Sequence, residues 1–200
     1  AIHSQKIKDG FERMGYEVKV VTYGYHTEGK NVMNVSRKIP FGIRHFLYFL
    51  RCFANALPRE SIVYAQDALG AGLPAFLAAF FLRRPLIFRI GGDIVWERTS
   101  ERMRFPISLR EFYKRRFHHR IFGLRFRIVR LVLRRAARIA VSSAMLKNLY
   151  IIYYGIAPGK IVLIPNPIPQ DSGGQSGNDV DPIILFAGRF VAYKNLAVLL

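Results

Sequence analysis

PLIFRIGGD, residues 85–93, decides how this chain folds. Leu86 to Ile90 is a nearly unbroken apolar run, and two glycines and an aspartate close it. A strand with one wet face alternates apolar and polar residues. A continuous run suits a strand buried on both faces of a parallel sheet. Glycine at its end allows a sharp turn and lets a ligand approach the backbone closely. PLIFRIGGD therefore reads as a buried strand whose carboxyl end, at Gly91, Gly92 and Asp93, faces a cleft.

Similar runs recur on either side. Residues 2–14 read as a helix, with Gly15 as the left-handed residue that ends it, and GYEVKVVTYG as a turn and strand. Phe46, Phe49, Leu50 and Phe53 give residues 42–57 helical spacing. ESIVYAQD is a strand ending in Gln66 and Asp67, and GLPAFLAAFFL a buried helix closed by Arg83 and Arg84, which suit a helix C-terminus. Residues 107–137 read as a long basic helical region with a break at Gly123. RIAVSS, SAMLKNLYIIYYG and KIVLIPNPI then give strand, helix and strand. Strands alternating with helices imply an α/β fold: a Rossmann-like parallel sheet with helices on both faces. In such folds ligands bind beyond the carboxyl ends of the strands. QDSGGQSGNDVD, residues 170–181, is a polar linker. The expected organisation is a first domain over 1–169, the linker, and the start of a second domain over 182–200.

Composition narrows the partners. The formal net charge is +18. It suits nucleic acid, an anionic membrane face or an anionic substrate, and says nothing of fold. Cys52 is alone, so neither an internal disulfide nor a thiolate metal site is expected, which suits a reducing cytoplasm. Adjacent His118 and His119 point to different faces of a helix and make a poor metal pair; no metal is expected. The longest apolar stretch falls well short of the roughly 20 residues of a spanning helix. The chain begins at Ala1 and stops at Leu200 inside a helical pattern, so a fragment of a two-domain protein is expected.

The ordered set GYEVKVVT, VYAQDALGAGLPA, PLIFRIGGDIVWE, RIAVSSAMLKNL, YGIAPGKIVLIPNPI, a polar linker and ILFAGRFVAYKN resembles the retaining glycosyltransferases of family 4, which have the GT-B architecture. The resemblance spans nearly the whole chain. It implies two Rossmann-like domains across a cleft, the first holding the acceptor and the second the nucleotide-sugar. It also implies that the family's first strand precedes residue 1 and that its paired glutamates follow residue 200. No cofactor is implied, since the nucleotide-sugar is a substrate.

The resemblance gives Arg189 and Lys194, in FAGRFVAYKN, the donor diphosphate. The chemistry agrees: Arg offers a planar fork to phosphate oxygens, Lys a point charge, and a helix N-terminus adds free N–H groups. Much of the family has a His near the transferred sugar where this chain has Gly92, which puts an imidazole-assisted step in doubt. Asp93 is then the catalytic candidate of the first domain, orienting acceptor or sugar, with helix capping as its structural alternative. Gly91, Gly92, Gln66, Asp67 and Asn166 are expected at the acceptor cleft, with a hinge role for Asn166 at the interdomain crossing. Trp96 reads as packing, and Ser142 and Ser143 as helix caps.

The basic helical region has Phe117, Ile121, Leu124, Ile128 and Leu131 at helical spacing beside a stripe of Arg116, Arg120, Arg127, Arg130, Arg134 and Arg138. Such a helix can lie on an anionic leaflet. The expectation is thus a glycosyltransferase acting on a lipid-linked glycan or cell-envelope polysaccharide, cytoplasmic and peripheral on the inner face of the membrane. A basic Rossmann-like nucleic-acid-binding protein is the rival class. Charge and interleaved aromatics favour it, but no nucleic-acid-binding signature is present and no nucleic acid is expected. A truncated glycosyltransferase without catalysis is the third reading, and the fragment alone is expected to be inactive.

Overall fold

The computed structural model describes residues 2–24, 31–103, 107–120 and 123–166, with backbone alone at 2, 3, 103, 119 and 120. The linker, residues 182–200, and with them Arg189 and Lys194, lie outside the described residues.

Helix α1 (Ile2–Arg13) leads to strands β1 (Val20–Gly24) and β2 (Val32–Ser36). Helix α2 (Phe41–Asn55), β3 (Val63–Ala65), α3 (Gly72–Phe81) and β4 (Leu86–Ile90) follow. Four helices come next: α4 (Ile94–Met103), α5 (Leu109–Lys114), α6 (Phe117–Arg120) and α7 (Gly123–Arg135). β5 (Arg138–Val141), α8 (Ala144–Ile152) and β6 (Ile161–Leu163) complete the order.

Every strand pair is parallel. β1 pairs with β2, and β3-β4-β5-β6 form a four-stranded sheet in that order. The fold is the expected α/β arrangement of parallel strands flanked by helices. The core is centred on β4 and β5: Phe88, Ile139 and Val141 pack with Val95, Phe112, Phe126, Val129 and Leu133 in one buried cluster. Burying a side chain of this size contributes about 1.5–3 kcal/mol before entropy is counted.

Local chemistry sets the ends of the elements. Gly15 adopts φ +87° after α1, the left-handed conformation glycine reaches without strain. Ser143 caps α8, its Oγ accepting the Leu146 amide at 3.3 Å. After α3 the left-handed position falls on Arg83 (φ +53°), where an L side chain crowds the following carbonyl.

The basic region differs from expectation. Among the described residues it is three helices, and the chain turns at Arg115–Arg116 between the first two, with Arg116 at φ +56°. α7 begins at Gly123, where the break was expected. Its buried face is Phe126, Val129, Val132 and Leu133, while Leu124 and Leu131 point outward. Neither β2 nor α4 was foreseen. β2 carries Asn34 within a short run, and α4 is polar apart from its first turn.

Candidate functional site

With all four strands parallel, Gln66, Gly91, Ser142 and Ile164 follow the carboxyl ends of β3, β4, β5 and β6 along one edge. That edge is where open α/β sheets bind ligands. At its centre, Gly91 is exposed, and a Cβ placed on it would meet nothing within 4 Å. Its backbone is open to a ligand. Gly92 is the opposite case: a Cβ there would lie 2.1 Å from Glu97 Oε1. α4 returns the Glu97 carboxylate against the turn, so a carboxylate fills the space a side chain at 92 would need.

Asp93 is 1% exposed. Its Oδ1 accepts the Trp96 amide at 2.7 Å and so caps α4. Its Oδ2 accepts from the Tyr113 and Tyr154 hydroxyls at 2.7 and 2.8 Å. Burial holds this carboxyl above the usual carboxylate range, and the amide and the two phenols oppose that shift. Burial and the neighbouring Asp93 charge push both phenols up, so they remain protonated donors. Tyr150 Oη donates to the Gly92 carbonyl at 2.9 Å. Of the two readings of Asp93, the described residues show the helix cap. An inaccessible carboxylate with both oxygens engaged positions the Gly91–Gly92 turn. Trp96 is packing, as expected, and its Nε1 donates to Ile107 O at 2.8 Å.

Gln66 accepts from Ser4 Oγ at 3.0 Å. Asp67 works on its own loop, taking the Leu69 and Ala71 amides at 2.8 and 3.0 Å; its carboxylate organises the entry to α3. Asn166 is exposed, and its Oδ1 accepts from Arg89 Nη2 at 2.8 Å. Arg89 Nη1 donates to Ile164 O at 2.5 Å. Arg89 therefore ties the central strand to the segment leaving β6. It is 8% exposed and makes no ion pair among the described residues.

The surface arginines separate. Arg116, Arg127 and Arg134 are exposed. Arg130 is half-buried and holds the Tyr154 carbonyl at 3.0 Å, so it is structural. The Arg120 and His119 side chains lie outside the described residues, whereas His118 is buried among Phe112, Tyr113 and Phe126. Burial pushes the Cys52 thiol up to about 12, far from the nucleophilic range. Among the described residues, no group of three or more His, Cys, Asp or Glu could hold a metal ion, and no helix is long and apolar enough to cross a membrane.

Residues 1–172 match the family model described as Glycosyltransferase Family 4. The chain belongs to glycosyltransferase family 4. No curated protein and no solved structure matches it. Membership makes the chain a glycosyltransferase in general terms and implies a nucleotide-sugar donor and an acceptor. In this family 4 domain, three features of the sheet edge escaped the sequence reading: Arg89, the tyrosines 113, 150 and 154, and Glu97 as the carboxylate against Gly92. Arg89 carried a usable signal, since a lone cation inside an apolar strand has to be partnered when buried. The tyrosines carried none, because two stretches distant in sequence, at 113 and at 150–154, converge on the Asp93 carboxylate and the Gly92 carbonyl.

Proposed function

We propose that this chain supplies the acceptor side of a retaining glycosyltransferase, which moves a hexose from a nucleotide-sugar to a lipid-linked glycan or cell-envelope polysaccharide. The observation that supports this best is the turn at Gly91–Gly92. It is an open backbone at the carboxyl edge of a parallel sheet, braced from behind by Tyr150, Tyr113, Tyr154 and Asp93. A rigid turn holds an acceptor hydroxyl in place at small entropic cost. Glu97, beside Gly92, is the carboxylate placed to meet a sugar hydroxyl. Retention needs no protein nucleophile here, because the departing diphosphate can guide the acceptor oxygen.

In this proposal Arg189 and Lys194 neutralise charge on the leaving diphosphate. Residues 1–169 form the acceptor-side domain, 170–181 the linker and 182–200 the opening of the donor domain. Work on a lipid-linked acceptor would place the protein on the inner face of the membrane.

The test is amide NMR on the whole chain, titrated with a polyprenyl-diphosphate-linked sugar in detergent and, separately, with a nucleoside diphosphate. The acceptor mimic is expected to shift Gly91, Gly92 and Gln66, and Glu97→Gln to weaken its binding. Arg189→Ala with Lys194→Ala is expected to weaken the nucleotide. Sequence-dependent binding of duplex or single-stranded nucleic acid at physiological salt, without those shifts, would overturn the proposal.

A further inference from the structure

α2 and α3 pack side by side and leave a continuous aromatic face in the open. On α2, Ile43, Phe46 and Leu50 fall on one stripe and are exposed, and Leu57 is exposed just past its end; on α3, Leu77, Phe80 and Phe81 are exposed, Phe81 by 65%. The rings run without a break from Phe46 to Phe49 (6.3 Å), to Phe81 (6.3 Å) and to Phe80 (5.9 Å). The Arg135 guanidinium at the end of α7 lies 5.9 Å from the Phe80 ring centre. Leu131, one turn earlier, continues the exposed apolar surface onto α7. Single exposed apolar residues need no explanation, but a connected aromatic surface of this kind marks an interaction site.

Its charge is of one sign. Residues 41–57 and 68–92 contain no Asp or Glu. Where α3 ends, Phe76, Phe80 and Phe81 meet Arg83, Arg84 and Arg135 around a concavity of about 520 Å³. Arg84 is committed to the Ala56 and Leu57 carbonyls and so fixes the wall. Arg83 and Arg135 make no ion pair among the described residues.

We propose that this α2–α3–α7 face docks on an anionic lipid bilayer, with Phe46, Phe80, Phe81 and Leu50 entering the headgroup–acyl boundary and the Arg83/Arg84/Arg135 concavity receiving a lipid phosphate. Aromatic rings and long aliphatic stems suit that boundary, and arginine forks suit phosphate oxygens. A second copy fits worse, because a two-fold contact through this patch sets Arg83 and Arg135 against the same cations. The inference rests on the peripheral-membrane reading above, but replaces a purely electrostatic contact by the Arg127–Arg134 stripe with insertion of a different face.

The experiment is flotation of the full chain with phosphatidylglycerol-containing and pure phosphatidylcholine vesicles. Phe80→Ser with Phe81→Ser is expected to weaken binding to the anionic vesicles at least tenfold. Arg83→Gly, which removes the cation while easing a left-handed backbone, is expected to weaken it severalfold with helix content unchanged. Arg127→Gln with Arg134→Gln is expected to have the smaller effect. Phe81→Trp is expected to shift its emission to the blue on anionic vesicles and to be quenched by brominated acyl chains. If the Arg127/Arg134 pair abolishes binding and the Phe pair leaves it intact, this face is overturned and the electrostatic reading survives. If the unaltered chain ignores anionic vesicles, both fail. If the Phe pair converts a dimer to a monomer without changing vesicle binding, the face joins copies of this chain and the proposal is overturned.

Discussion

β1 and β4 are both five-residue parallel strands, yet four of the five β4 residues are buried and none of the β1 residues is. β4 has strands on both sides and lies in the main core cluster; β1 pairs with β2 alone among the described residues. Among the described residues, no buried member of the core cluster precedes Ala65. A parallel strand depends on cover from both faces and both edges for its stability. The comparison teaches that the candidate site stands on the well-covered half. Gly91 and Gly92 continue β4, and the tyrosines bracing them come from α5, α8 and the turn just after α8, all packed in the same cluster.

Truncating each half separately gives the largest expected effect. Phe88→Ala, at a position with no exposure, should cost about 3–5 kcal/mol. Val21→Ala, half-buried on β1, should cost about 1 kcal/mol. Urea midpoints measure both; equal losses would break the comparison.

A middle-sized effect is expected at the seam between β4 and the segment leaving β6. Arg89→Ala leaves Ile164 O and Asn166 Oδ1 without their donor and should cost about 1–3 kcal/mol. Asn166→Ala, on the exposed side of the same contact, should cost less. Faster amide exchange confined to residues near 164 would sharpen the assignment of Arg89 to that seam, whereas faster exchange throughout the sheet would make it a general core residue.

The smallest effect is a change of slope with pH. Burial raises the Asp93 carboxyl in the folded chain, so the native state holds this proton to a higher pH than the unfolded chain does. Between the ordinary carboxylate range and the raised folded value, the native state binds more protons. Stability from this group is full below the ordinary range and falls as pH rises through the folded value. Asp93→Asn keeps an oxygen for the Trp96 amide and removes the titration. Urea midpoints from acid to neutral pH should therefore vary less in the variant, and an unchanged slope would show that Asp93 is not the group responsible.

Local chemistry made much of this legible. Continuous apolar runs marked β3 to β6, Gly15 ended α1, and the glycines after Ile90 marked the ligand-facing edge, because run length and turn residues act within a few positions of themselves. The order of those runs carried the family. What the sequence left open depended on partners far along the chain. Leu124 and Leu131 have the same spacing as a core stripe, yet α7 buries Phe126 and Val129 instead, since the face that packs is chosen by the sheet it meets. Asp93 looked equally able to cap a helix or to meet an acceptor, and only the convergence of Tyr113 and Tyr154 closed it off from ligands. Phe80 and Phe81 read as core in a buried helix and stand in the open, because no other described element covers that side of α3. Periodicity says that a helix has an apolar face; burial is decided by what lies opposite, and that is a property of the assembled fold.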